Sequence, residues 1–228
     1  MGNGENREFL RLRQKWRTMK KKEATSVGKE LEIKLAAPGA AALDAVCADA
    51  RVEARRCGGW QEICMETAYL DTSERAIAAR KWMLRRRVEN GEAIYTMKTP
   101  GDGYVRGEWE SRKAALPDAV REMVSRGAPA ELETLTAGGA ERVCGVQFSR
   151  KTAPLRLEDG TVCALCADSG HFLGGARRRP FCEVELELTS GSAEAMLAFA
   201  RALAARYGLR EERNSKFVRA AALAAQDA

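Results

Sequence analysis

The sequence predicts an α+β domain built on an eight-stranded closed antiparallel β-barrel with helices packed outside it. Three observations lead to that fold class. Eight segments alternate with the two-residue period of strands, and short turns join most of them. In five of them one face carries two or three charges while the other carries Leu, Ile, Val or Trp. Two amphipathic helices need an apolar partner, which the uncharged sheet face supplies, so the ionic face points away from the helices and into the barrel.

The leading strand is Lys29-Glu30-Leu31-Glu32-Ile33-Lys34-Leu35, with Glu30, Glu32 and Lys34 on one face and Leu31, Ile33 and Leu35 on the other. Residues 183–188 repeat the pattern, setting Glu183, Glu185 and Glu187 against Val184, Leu186 and Leu188. Carboxylates two apart on a strand repel by about 2 kcal/mol at an effective dielectric near 20, so positive charge is expected between them. Residues 40–56 read as one helix, with Leu43, Val46, Cys47 and Ala50 on its apolar side and Gly58-Gly59 ending it. A strand over 63–70 stops at Asp71-Thr72-Ser73, which can cap a short helix over 73–80. Strands 82–89 and 92–99 flank Asn90-Gly91, a strong hairpin signal; Arg85 and Arg87 share a face of the first, and Lys98 lies on the second. Strand 104–112 presents Arg106, Glu108 and Glu110 together. Helices over 116–127 and 129–137 stop at Gly138-Gly139. Strands return over 143–157, with Arg150, then 161–168 and 180–188, and a loop ending in three arginines joins the last two. A helix over 192–207 buries Met196, Leu197, Ala200 and Leu203 and closes at Gly208; Ser215-Lys216 then leads into an alanine-rich helix.

The 228 residues are 45% hydrophobic, enough for one sizeable core. The formal charge of +6 belongs to residues 1–22, which hold eight basic and two acidic side chains; the remainder has 30 of each. The division expected is a basic N-terminal extension over 1–28, solvated or carrying a short amphipathic helix (Phe9, Leu12, Trp16, Met19), and a folded domain over 29–228. No apolar run approaches the ~20 residues of a membrane span, and the N-terminus lacks the apolar core of a secretory signal, so a cytoplasmic location is expected. Seven scattered cysteines do not make a disulfide framework. Cys163 and Cys166 have zinc-like spacing, but three apart on a strand they point to opposite faces. His171, the single histidine, excludes any mechanism needing two and is expected in a loop.

The charged faces gather Glu30, Glu32, Asp168, Glu183, Glu185 and Glu187 opposite Lys34, Arg85, Arg87, Lys98, Arg106, Arg150 and Lys216. Buried ion pairs seldom repay their desolvation, so such a lining points to binding. Carboxylates without histidine or thiolate suit Mg2+ or Mn2+, and arginines and lysines suit phosphate oxygens. A polyphosphate bridged to carboxylates by metal satisfies both; an exposed mixed-charge surface is the alternative these residues leave open.

Glu30-Leu31-Glu32-Ile33-Lys34 resembles the E-x-E-x-K signature of the CYTH domain, the triphosphate tunnel metalloenzyme family. Tyr69-Leu70-Asp71-Thr72, Leu84-Arg85-Arg86-Arg87, Thr96-Met97-Lys98, Arg106-Gly107-Glu108-Trp109-Glu110, residues 183–188 and Ser215-Lys216 follow in the family's order. The resemblance implies an eight-stranded tunnel holding a triphosphate and a divalent metal, and is strongest to bacterial inorganic triphosphatases that cleave tripolyphosphate to pyrophosphate and phosphate. Class IV adenylate cyclases and thiamine triphosphatases share fold and site, and a non-catalytic binder of polyphosphate or nucleic acid is the rival of another class. By the family pattern Glu30, Glu32, Asp168, Glu183 and Glu185 face metal. Lys34, Arg85, Arg87, Lys98, Arg106, Arg150 and Lys216 bind phosphate, with Arg150 open to a one-residue slip onto Lys151. Glu30, Glu32 and Lys34 stand nearest the chemistry, and Glu108, Glu110 and Glu187 are secondary. The sequence leaves open whether the barrel dimerises.

Overall fold

The structure, a computed structural model, describes residues 31–100 and 107–227. The basic extension with its expected helix, Glu30, and Arg106 lie outside the described residues. Nine strands form one sheet: β1 (Glu32–Ala36), β2 (Gln61–Asp71), β3 (Met83–Glu89), β4 (Glu92–Lys98), β5 (Glu108–Ser111), β6 (Glu141–Arg156), β7 (Val162–Gly174), β8 (Arg177–Ser190) and β9 (Arg210–Glu211). Their order is β5-β4-β3-β2-β6-β7-β8-β1-β9, and every pairing is antiparallel.

The expected eight-stranded closed barrel is corrected here: among the described residues there are nine strands and hydrogen bonds do not close the sheet. The outer edge of β1 is taken by β9, through Leu35↔Glu211 and Ala36↔Arg210. At the other edge the four residues of β5 pair only with β4. Neither short edge strand reaches the other to complete a cylinder.

The two sheet faces divide as the alternation requires. On the outer face, Leu35, Leu155, Cys163, Leu165, Val184 and Leu186 pack against helices α1 (Ala40–Cys47), α2 (Ala50–Arg55) and α6 (Ala193–Tyr207). Leu84, Tyr95 and Met97 pack against α4 (Leu116–Ser125) and α5 (Glu131–Thr136), with Ile77 of α3 (Ala76–Ala79) completing the cluster. Helix α7 (Lys216–Ala224) behaves differently. Its Ala220 and Leu223 join Tyr69, Cys144, Val146, Phe172 and Phe181. By register these β residues share the charged face, so part of that face is an apolar seat for α7. The C-terminal end of α7 sits so close to Gly174 that a Cβ there would lie 2.4 Å from the Ala224 nitrogen.

Local chemistry accounts for the element ends. Asn90 and Gly91 take φ of 48° and 92°, as a two-residue hairpin between Glu89 and Glu92 demands. The expected loop over 170–179 is instead the tip of the β7–β8 hairpin. Gly174 pairs with Arg177, Gly175 turns at φ 55°, and His171 lies on β7 opposite Gln147 and Pro180. The single helix expected over 40–56 breaks at Asp49, whose carboxylate caps α2 by accepting the Arg51 amide at 2.7 Å. Ser192 and Gly208 bound α6 as expected. All seven cysteines are free. No helix among the described residues is long and apolar enough to cross a membrane.

Two buried aspartates hold the scaffold. Asp49 accepts hydrogen bonds from the Arg51 guanidinium at 3.0 and 3.1 Å and from the Tyr207 hydroxyl at 2.7 Å, tying α2 to α6. The Arg51 bonds first, and the Tyr207 bond after them, hold its carboxyl well below the usual range in spite of burial. A folded value below the unfolded one gives stability that is complete above the ordinary aspartate range and lost on acidification. The stability gap between wild type and Asp49→Asn, followed by urea unfolding at several pH values, is therefore expected to be widest at neutral pH and to narrow below about pH 4. Asp71 accepts the amides of Thr72 and Ile77 at 2.8 Å and of Ala78 at 3.1 Å. Asp71→Ala leaves these donors without their acceptor and is expected to cost about 2 kcal/mol, read as a lower urea midpoint at unchanged slope, with Asp71→Asn recovering part.

Candidate functional site

Strand register assembles the site. Arg150 on β6 pairs with Asp168 on β7, which pairs with Glu183 on β8. One row along, Thr152 pairs with Cys166, Cys166 with Glu185, and Glu185 with Lys34 on β1. The next row sets Glu187 opposite Glu32. On the other side of Arg150, through Thr67 and Tyr69 of β2, the same face carries Arg87 and Arg85, then Thr96 and Lys98 on β4, then Glu110 and Glu108 on β5. Every predicted site residue on the described strands thus falls on one sheet face, and α7 brings Lys216 to it. Arg150 is the inward residue: Lys151 points the other way, its ammonium 5.2 Å from the Trp60 ring centre. Cys163 lies in the outer core and Cys166 on the site face, so they do not form a chelating pair.

Asp168, Glu183 and Glu185 form a buried trio, with one oxygen from each within 4.8 Å of the others. Three cations neutralise it. Arg150 grips Asp168 through Nε and Nη2, both at 2.7 Å, and also reaches Glu185. The Lys216 ammonium, delivered by the first turn of α7, lies 2.9 Å from Asp168 Oδ2 and 2.7 Å from Glu185 Oε1 and also bonds Glu183. Arg219, one turn along α7, pairs with Glu183 Oε2. Burial opposes charge on Glu185, but Lys216 and Arg150 outweigh it and hold its carboxyl well below the ordinary range. The same carboxylates keep Lys216 protonated above the ordinary lysine range against the cost of burial. Phe148 and Phe181 wall the ammonium, with ring centres 5.1 and 5.6 Å away.

The β3–β5 side is bonded more loosely. Arg85 and Arg87 are half-buried neighbours on one strand face, each 4.0 Å from Glu110 Oε1. No hydrogen bond from Arg85 Nε exists among the described residues, and Arg87 Nε sits 2.8 Å from Glu89 Oε1 in an ion pair not aligned as a hydrogen bond. Burial first, then the Arg85 charge, lowers the hold of Arg87 on its proton, and Arg150 adds to that push from across the face. Lys98 pairs with Glu108 at 2.8 Å, and Lys34 with Glu32 at 2.9 Å. Burial and the Glu185 charge raise the Glu32 carboxyl above its ordinary value, partly offset by Lys34.

The structure therefore brings together Asp168, Glu183, Glu185, Arg150 and Lys216, with Lys34, Glu32 and Glu187 along one flank and Arg85, Arg87, Lys98, Glu108 and Glu110 along the other. Glu30 and Arg106 lie outside the described residues. Sequence reasoning missed Arg219, whose signal was its position three residues after Lys216 on a helix, and Glu89, two residues after Arg87 on a strand. The trio's donor set, hard oxygens without histidine, fits a magnesium-like ion. The same oxygens already accept bonds from Lys216 and Arg150, so an ion and the ammonium compete for them.

The CYTH domain family profile matches residues 28–221. Among solved structures, the chain is similar to a putative adenylyl cyclase from Hippeastrum, described as having a dominant triphosphatase activity. That match has 18% identity, a TM-score of 0.50, and covers 83% of this chain and 93% of that one. A protein from Pyrococcus horikoshii matches at 19% identity and TM-score 0.47, over 82% of this chain and 96% of that one. A putative adenylate cyclase from Bacillus halodurans matches at 11% identity and TM-score 0.49, over 83% and 94%. At 18% identity the likeness to the Hippeastrum protein is one of fold alone. With the family profile spanning nearly all of the described residues, the chain belongs to the CYTH domain family.

Proposed function

We propose that the protein is a divalent-metal-dependent triphosphatase that hydrolyses a terminal phosphoanhydride, with inorganic tripolyphosphate as the substrate that fits best. The observation that carries this reading is the pair Arg85 and Arg87. Two adjacent guanidinium groups lose water on burial, yet the described residues give them few aligned acceptors. A phosphate chain supplies the acceptors and charge they lack. Lys98 flanks the pair on the neighbouring strand, Lys34 stands on the same face across β2, β6, β7 and β8, and Arg106 joins on sequence grounds alone. The Hippeastrum protein's described triphosphatase activity agrees with this choice over a cyclase.

Each group has a part in the reaction. Arg85, Arg87 and Lys98 bind the phosphate oxygens and neutralise the charge that gathers on the transferred phosphoryl group. Asp168, Glu183 and Glu185 would hold Mg2+ or Mn2+, with Glu30 assigned from sequence. Such an ion neutralises phosphate oxygens and acidifies bound water. Glu32, its carboxyl raised by burial and by Glu185, is a stronger base than a solvated glutamate and accepts the proton of the attacking water. The water oxygen bonds to the terminal phosphorus as the bridging P–O bond breaks, releasing phosphate and pyrophosphate.

The test is a panel of tripolyphosphate, ATP, thiamine triphosphate and long-chain polyphosphate, each with Mg2+ or Mn2+ and each scored by product. Phosphate and pyrophosphate from tripolyphosphate are expected; cyclic AMP from ATP would establish a cyclase instead, and binding without turnover a non-catalytic receptor. Arg87→Ala and Glu32→Gln are each expected to lower kcat/KM by about 100-fold or more in folded protein. Unchanged rates in both variants reject the site.

A further inference from the structure

The start of α7 runs against helix electrostatics. Lys216 and Arg219 place two cations at the positive end of the macrodipole, where acids are favoured, and no acid stands in its first turn. The helix is held there from outside, by Asp168, Glu183 and Glu185. Each of these carboxylates has two cationic partners, and the partners are not equivalent. Asp168 and Glu185 share the Arg150 guanidinium, and Glu183 has Arg219. All three share one Lys216 ammonium.

The guanidinium groups are fixed. Arg219 Cζ lies 4.6 Å from the Phe172 ring centre and 5.8 Å from that of Phe181, and its Nη1 is 3.8 Å from Glu212. Its side chain is 11% exposed, so it has little room to swing toward a ligand. Lys216 carries a compact charge on a flexible stem and is the one cation whose departure leaves every carboxylate with a guanidinium partner.

We propose that Arg219 is a positioning residue: by holding Glu183 permanently it frees the Lys216 ammonium to leave the carboxylates and engage an anion on the site face. This rests on the triphosphate reading only for the identity of the anion. Without Arg219, Glu183, which is fully buried, depends on Lys216 alone, and withdrawing the ammonium would strand a carboxylate away from water. Loss of Arg219 thus acts through Lys216, not beside it.

Calorimetric titration with tripolyphosphate in the absence of added metal tests this on wild type, Arg219→Gln, Arg219→Lys, Lys216→Gln and the double variant Lys216→Gln/Arg219→Gln. Arg219→Gln is expected to weaken binding about 10-fold, close to Lys216→Gln, with Arg219→Lys in between. The double variant is expected to bind within about twofold of Lys216→Gln, because the two substitutions remove one contribution. The inference is overturned if a folded Arg219→Gln binds within twofold of wild type, if its loss and that of Lys216→Gln multiply in the double variant, or, where Arg219→Gln does not fold, if Arg219→Lys binds as wild type does. Wild type that binds tripolyphosphate but leaves it intact with Mg2+ or Mn2+ would reject the triphosphatase reading and leave this one standing on its binding data. Wild type without affinity for tripolyphosphate overturns both.

Discussion

Burying Asp168, Glu183 and Glu185 on one sheet face is the constraint on which the rest of the structure depends. A carboxylate without solvent or a partner is too costly to keep charged, so three of them require cations at fixed positions. Strand register provides Arg150, directly beside Asp168. Lys34, opposite Glu185 on β1, is paired with Glu32, and the neighbouring site-face positions on β7 are Cys166 and Gly170, so the sheet does not supply the other two. They come from a helix that folds back onto this face and brings Lys216 and Arg219. The apolar seat of α7 among Phe172, Phe181 and Val146 follows from that need: the helix must dock for the carboxylates to be tolerable, and its apolar stripe supplies the docking.

What the sequence revealed follows from the same chemistry. A two-residue period puts Glu183, Glu185 and Glu187 on one face whatever the fold around them, and antiparallel pairing carries that face to Glu32, Asp168, Arg150 and Arg87. One face of the sheet, and with it most of the candidate site, was therefore legible before any tertiary contact was known. Asn90-Gly91, Ser192 and Gly208 were legible for a related reason: each satisfies a backbone demand met within a few residues.

What could not be read involved competition between distant groups. Residues 40–56 carry an unbroken helical pattern, yet Asp49 ends one helix and caps the next because the Tyr207 hydroxyl, far along the chain, also reaches its carboxylate. The arginines at 177–179 resembled a solvated loop, and became strand because Gly175 supplies the positive φ of a two-residue turn. Closure of the sheet is a matter of which edges meet, and β9, only two residues long, carries too little pattern to be recognised. Arg219 stands on an alanine-rich helix whose sequence does not say which of its faces meets the carboxylates.

The choice between arginine and lysine within the site has a physical logic. Arg150 meets Asp168 with a two-point grip through Nε and Nη2, and Arg219 lies over the Phe172 ring; both use the planar, pre-organised guanidinium to hold a geometry. Lys216 has neither a fork nor a stacking plane, only a charge that three acids share. Under the proposed function, a site that accepts a polyanion beside carboxylates needs rigid countercharges, which keep the acids buried and aligned, and one cation that can change partners. Two guanidinium groups and one ammonium meet that requirement. Arginine in place of Lys216 would lock the trio to α7, and lysine in place of Arg150 would give up the two-point grip that orients Asp168.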